Sequence, residues 1–153
     1  MTGAQATDPA EVTTTFHRVD YSETDQMGVV YHARYLVWLD VARTEHLRRS
    51  GSSYRDLESA GLRLMVSEAT IRYRRAVRYD DLVCVRTWVR EVASRRIVFG
   101  YAVEHAERGE LLATATTALL VMAADFTFSR LPEDVAARLH PIPDVVRLCS
   151  LVE

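Results

Sequence analysis

Lysine is absent from this 153-residue chain, and all 19 basic side chains are arginines. That excludes Schiff-base chemistry and a lysine general base. Cysteine is scarce as well. Cys84 and Cys149 stand in unrelated contexts, with neither metal-ligand spacing nor a disulfide framework, which points to a reducing cytoplasm. Excess charge is also missing: the formal net charge is -2, so neither nucleic acid nor an acidic membrane is expected as a partner. No apolar stretch stays free of charge long enough to span a bilayer. The leader has no apolar h-region of a secretory signal. His17, His105 and His140 share no ligand spacing with a cysteine or carboxylate, so no metal and no cofactor is expected.

What is present describes one globular domain with a single core, at 48% hydrophobic and 26% charged residues. Residues 1–12 are small and polar and read as an N-terminal arm. Residues 13–20 are rich in β-branched side chains and read as a strand. A polar loop over 21–28 leads into a long helix over 30–49, stopped by Gly51. On a helical wheel Tyr35, Trp38, Leu39, Ala42 and His46 share one face, flanked by Leu36 and Leu47, while Arg34, Thr44, Glu45 and Arg48 lie opposite. His46 on that face reads as a satisfied core histidine. Ser53 with Asp56 opens a short second helix ending at Gly61.

Beyond it the pattern alternates with period two over 65–74, 83–90 and 97–103, and 111–124 is nearly continuously apolar or small. Cys84 falls inside one of these strands and reads as a small buried hydrophobe. Pro132, Glu133 and Asp134 start a short last helix, and residues 141–153 form a C-terminal tail. The order predicts an α+β domain: one long central helix wrapped by an antiparallel sheet whose last four strands follow in meander succession. Strands this long in so small a domain also predict a second copy covering the sheet edge.

The segment from Tyr21 to His32 carries the chemical information. It sets one carboxylate, Asp25, just ahead of Gly28 and the helix start. Helix starts expose unpaired N–H groups and partial positive charge. A carboxylate beside such donors has the parts for acyl transfer: a base or nucleophile next to a hole for an oxyanion. Asp25 taken alone reads more readily as a turn or cap residue.

Tyr21, Thr24, Asp25, Gly28, Val29, Val30, Tyr31, His32 and Tyr35, followed by Arg43-Thr44-Glu45, resemble the signature of the hotdog-fold acyl-CoA thioesterases of the 4-hydroxybenzoyl-CoA thioesterase type. Within that family they are similar to the branch encoded beside the Tol–Pal system. The resemblance extends over residues 13–140. It implies a cytoplasmic hydrolase acting on an acyl-CoA or acyl-carrier-protein thioester, working as a homodimer or homotetramer. It implies that Asp25 is the catalytic nucleophile or general base and that the His32 backbone N–H polarises the thioester carbonyl. Tyr21 and the His32 side chain would lie near the site, with Gly28, Val30 and Tyr31 against the substrate. Arg95 and Arg96 would meet the CoA nucleotide.

Against these stand plainer readings: Tyr21 as core, His32 as local packing, and Arg95–Arg96 as a solvated face. Arg72, Arg74, Arg75 and Arg78 form a second basic cluster that a solvated edge would also explain. A different class also fits, a non-catalytic acyl-CoA-binding sensor that uses the same pocket without turnover.

Overall fold

The computed structural model describes residues 11–148. Most of the expected arm, the end of the expected tail and Cys149 lie outside them. In chain order the elements are β1 (Thr13–Arg18), a 3-10 turn (Tyr21–Glu23), α1 (Arg34–Arg49), α2 (Tyr54–Ser59), β2 (Leu62–Tyr73), β3 (Leu82–Val92), β4 (Arg96–His105), β5 (Leu111–Ala123) and α3 (Glu133–Arg138). The strands form one antiparallel sheet in the order β1-β3-β4-β5-β2.

That order corrects one expectation. β3, β4 and β5 form the meander, but β2 pairs with β5 at the far edge. The cause is the connection from Arg74 to Asp81, which crosses the end of the sheet. The N–H groups of Arg74 and Arg75 both donate to the Leu112 carbonyl, at 2.8 and 3.1 Å. Val77 is fully buried, and its carbonyl accepts the Val30 N–H at 2.7 Å. At the other end the Val19 N–H donates to the Asp81 carbonyl at 2.9 Å.

α1 buries Tyr35, Trp38, Leu39, Ala42, Arg43, His46 and Leu47, against β3 and β1 above all. The predicted stripe is therefore the buried one, although flanking Leu36 is exposed. Arg43 is buried because its guanidinium is spread over three oxygens: Nε donates to the Tyr54 hydroxyl (2.9 Å), Nη1 to the Tyr101 hydroxyl (3.2 Å) and Nη2 to Asp40 (2.5 Å). This ties α1 to α2 and β4, and burying such a charge is tolerated only with these bonds in place. Gly51 ends the helix at φ +91°, as a C′ glycine does. On the opposite sheet face Trp88 lies flat across Gly100, where an added Cβ would come within 2.6 Å of the indole. Asp144 closes that side by accepting from Trp88 Nε1 (3.1 Å) and pairing with Arg90 (2.8 and 3.0 Å). Cys84 is half-buried rather than enclosed.

His46 is buried, with Nδ1 2.9 Å from the Thr13 hydroxyl. Burial, reinforced by Arg49, pushes its imidazole down to about 4 from 6.5. The unfolded chain therefore takes up a proton first as pH falls, so this contribution to stability is complete above about pH 6.5 and is lost between there and pH 4. The expected loss is about 1–3 kcal/mol across that window. Urea midpoints measured at several pH values for wild type and His46→Gln check it. The variant should show a flatter dependence, and parallel curves would exclude His46 as the source.

Candidate active site

The loop between β1 and α1 is built by backbone bonds at its two ends. Thr24 and Val30 form an isolated antiparallel bridge. The Asp25 N–H donates to the Val29 carbonyl and the Gly28 N–H to the Asp25 carbonyl, both at 2.9 Å. Gly28 holds φ +77°, the conformation a side chain would resist, which lets the loop turn back on itself. The Asp25 carboxylate accepts the Met27 N–H at 2.9 Å, an Asx-type turn. Asp25 is half-buried.

The helix begins later than its sequence pattern suggests, at Arg34 with Ala33 as N-cap, not at Val30. The reason is that Val30 and Tyr31 are already spoken for in extended backbone. Their N–H groups donate to Val77 (2.7 Å) and Glu23 (2.9 Å). His32 and Ala33 form the turn between, and among the described residues neither N–H has an acceptor. Tyr73, the last residue of β2, donates its hydroxyl to the His32 carbonyl at 2.8 Å, which orients that peptide. Tyr73 stacks edge-on to Tyr35 at 4.9 Å. Burial, with Tyr73 beside it, pushes the Tyr35 hydroxyl up to about 12, and burial raises Tyr73 too, so both stay neutral.

Beside His32 lies a cavity of about 250 Å³ lined by Val29, Val30, His32, Tyr35, Tyr73, Arg74, Arg75 and Ala76. Arg74 and Arg75 also line a neighbouring cavity of about 470 Å³, with Glu110 and Leu111. The arrangement sets a backbone donor without an acceptor among the described residues, that of His32, at the cavity, with the Ala33 N–H next to it in the chain, an apolar and aromatic wall, and two arginines in the lining. Such a set suits a thioester whose carbonyl needs polarising and whose carrier is anionic.

The candidate residues fall into two groups. Val30 and His32 line the cavity; Asp25 and Gly28 sit on the loop leading to it, and the Tyr31 ring lies tilted against the His32 ring at 4.6 Å. Tyr21 stays apart. It is 78% exposed and its ring meets Tyr79 edge-on at 5.4 Å, so it is not the core residue its place at a strand end suggested. Arg95 and Arg96 lie at the other end of the sheet. Arg96 pairs with Leu120 while Tyr73 pairs with Ala113, a separation of about 24 Å along β5. Arg96 is paired with Glu91 at 2.9 Å.

Two contributors escaped the sequence reading. Tyr73 carried only a strand signal. Glu23 looked like one more polar loop residue, yet it is 6% exposed.

Residues 19–146 match the family described as the thioesterase-like superfamily. The chain belongs to that family, and its α+β architecture is the hotdog fold. Over 99 residues it is 39% identical to a putative acyl-CoA thioesterase, YneP, of Bacillus subtilis, covering 65% of this chain and 71% of that protein. Among solved structures it is similar to a hypothetical protein, TT1821, from Thermus thermophilus, at 38% identity and TM-score 0.79, covering 83% of this chain and 96% of that one. It is also similar to a DHNA-CoA thioesterase from Staphylococcus aureus, at 35% identity and TM-score 0.74, covering 80% and 81%. No helix among the described residues is long and apolar enough to cross a membrane.

Proposed function

We propose that the protein is a cytoplasmic thioesterase that hydrolyses an acyl-CoA, or an acyl-carrier-protein thioester, to the free acid and thiol. The observation that carries this reading is the pair of unpartnered N–H groups at His32 and Ala33, next to a cavity and one tight turn away from Asp25. The names of the relatives support the substrate class. In the general-base route Asp25 removes a proton from water, the oxygen attacks the thioester carbonyl, and the His32 N–H stabilises the oxyanion. The C–S bond then breaks and the thiolate takes the proton. In the nucleophilic route an Asp25 oxygen attacks first and expels the thiolate, and water then cleaves the resulting anhydride, regenerating the Asp25 carboxylate and giving the acid, with the released proton going to the thiolate.

The same reading includes a homodimer, or a tetramer built from it. Among the described residues β2 is bonded on one side only; Met65 and Val66 of this edge strand are exposed, as are Val37 and Val41 on α1. Pairing of two β2 edges about a two-fold axis is antiparallel, so it brings the Leu62 end of one copy beside the Tyr73 end of the other. Arg95 and Arg96 then serve the nucleotide of the substrate bound in the partner's cavity, not in their own.

Asp25→Asn should lower kcat by roughly two to four orders of magnitude with KM nearly unchanged. His32→Ala, which keeps the backbone N–H, should cost less. CoA release from a panel of acyl-CoAs, followed with a thiol-reactive dye, measures both. Wild-type turnover by folded Asp25→Asn would reject the mechanism, and saturable binding without CoA release by the wild type would make the protein a sensor.

Replacing Arg95 and Arg96 together by alanine should raise KM and spare kcat, because remote phosphate contacts supply uniform binding. Crossing the two defects tests the dimer. Co-refolding the double-arginine variant with Asp25→Asn should restore roughly a quarter of wild-type low-KM activity, since each heterodimer holds one complete site. No recovery, or sedimentation as a 17.4 kDa monomer, would refute this arrangement.

A further inference from the structure

Glu23 is a buried carboxylate that the proposed chemistry does not use. Its side chain accepts from three elements. His17 Nε2 of β1 lies 2.5 Å from Oε1. The Asp20 N–H, at the start of the 3-10 turn, reaches the same oxygen at 3.0 Å. Trp38 Nε1 of α1 donates to Oε2 at 2.8 Å. Its main-chain carbonyl accepts a fourth donor, the Tyr31 N–H, at 2.9 Å. Since an ionised carboxylate only accepts, the His17 Nε2 carries the proton in this contact. Burial by itself would push the Glu23 carboxyl up, but the Asp20 N–H, His17 and Trp38 together hold it below the usual carboxylate range.

The position of this clamp in the chain matters as much as its strength. Asp25 follows Glu23 by two residues and His32 follows Tyr31 by one, so both proposed reacting groups hang from it. From the clamp geometry we infer that Glu23 is a positioning residue. Through its bonds to His17, Asp20, Trp38 and Tyr31 it holds the Asp25 carboxylate and the His32 N–H in register for attack on one carbonyl. This rests on the roles proposed above for Asp25 and His32. Glu23 itself does no chemistry, because it does not line the cavity and both of its oxygens are occupied.

The inference predicts a loss in kcat rather than in binding. Glu23→Gln is nearly isosteric, but its NH2 must face Trp38 Nε1–H or the His17 and Asp20 donors, so at least one leg of the clamp is repelled. Misplacing a catalytic group by about 1 Å can cost on the order of a hundredfold. The expected result is a fall in kcat of roughly ten- to a hundredfold. kcat is expressed per site titrated with a non-hydrolysable thioether analogue of acyl-CoA, whose Kd should stay within about threefold of wild type. A residue serving stability alone would lower the folded fraction and leave kcat per titrated site unchanged. Trp38→Phe keeps a ring in the core and removes one donor, and it decides the matter if Glu23→Gln does not fold. It should lower kcat by roughly three- to tenfold at constant KM, and an unchanged kcat overturns the inference. Asp25→Asn is assayed in parallel. A fully active Glu23→Gln beside an inactive Asp25→Asn rejects the role of Glu23 alone. A fully active Asp25→Asn rejects the underlying mechanism and this role with it.

Discussion

Two backbone hydrogen bonds, from the Val30 N–H to Val77 and from the Tyr31 N–H to Glu23, fix where the long helix can begin. Without them the apolar, helix-compatible run from Val29 onward would wind earlier, and the N–H groups of His32 and Ala33 would enter a ladder. With them the chain stays extended to Tyr31 and the helix starts at Arg34. The first donors of a helix are unsatisfied in any case. Here the extended segment sets which residues those donors belong to, and the Tyr73 hydroxyl on the His32 carbonyl sets how that peptide is turned. The helix dipole then adds positive potential at the same point.

Burying a carboxylate at the root of this loop is costly unless its oxygens are satisfied. Glu23 meets that condition with donors from three different elements, so the interaction exists only when β1, the 3-10 turn and α1 are all in place. Because its proton affinity is depressed in the folded state, the contribution is present above the ordinary carboxylate range. It fades as pH falls through the depressed value. The carboxylate that holds the clamp together is therefore ionised at neutral pH.

The sequence announced what is local and periodic. The buried face of α1 follows from its 3.6-residue stripe, and the strands follow from alternation with period two. Gly51 and Ser53 mark a helix end and a helix start by their own chemistry, and the Ser53 hydroxyl accepts the Asp56 N–H as expected. His46 on the apolar face is the core histidine its neighbours implied. What was hidden is non-local. Nothing in the spacing says that Glu23 faces Trp38, that Tyr73 reaches the His32 carbonyl across forty-one residues, or that β2 leaves the meander. Tyr21 misled because an aromatic beside a strand usually packs inward, while the 3-10 turn points it to solvent. Arg95 and Arg96 were legible as a pair, but their distance from Asp25 appears only once the strand register is known.

The displaced strand connects these features. Because β2 crosses to the far edge, the chain must return over the end of the sheet through Val77, and that return supplies the carbonyl holding Val30. The same crossing leaves β2 with an unpaired outer edge and ends it at Tyr73, beside the candidate donor peptide. The edge open to a second copy and the loop that carries Asp25 are thus products of one connection. Any pairing that immobilises β2 also immobilises the tyrosine that orients His32. A two-fold axis through such an edge would carry each copy's arginine-bearing end to the other copy's cavity, which no intrachain path can do. In the proposed dimer, activity and assembly would therefore depend on each other through this one connection.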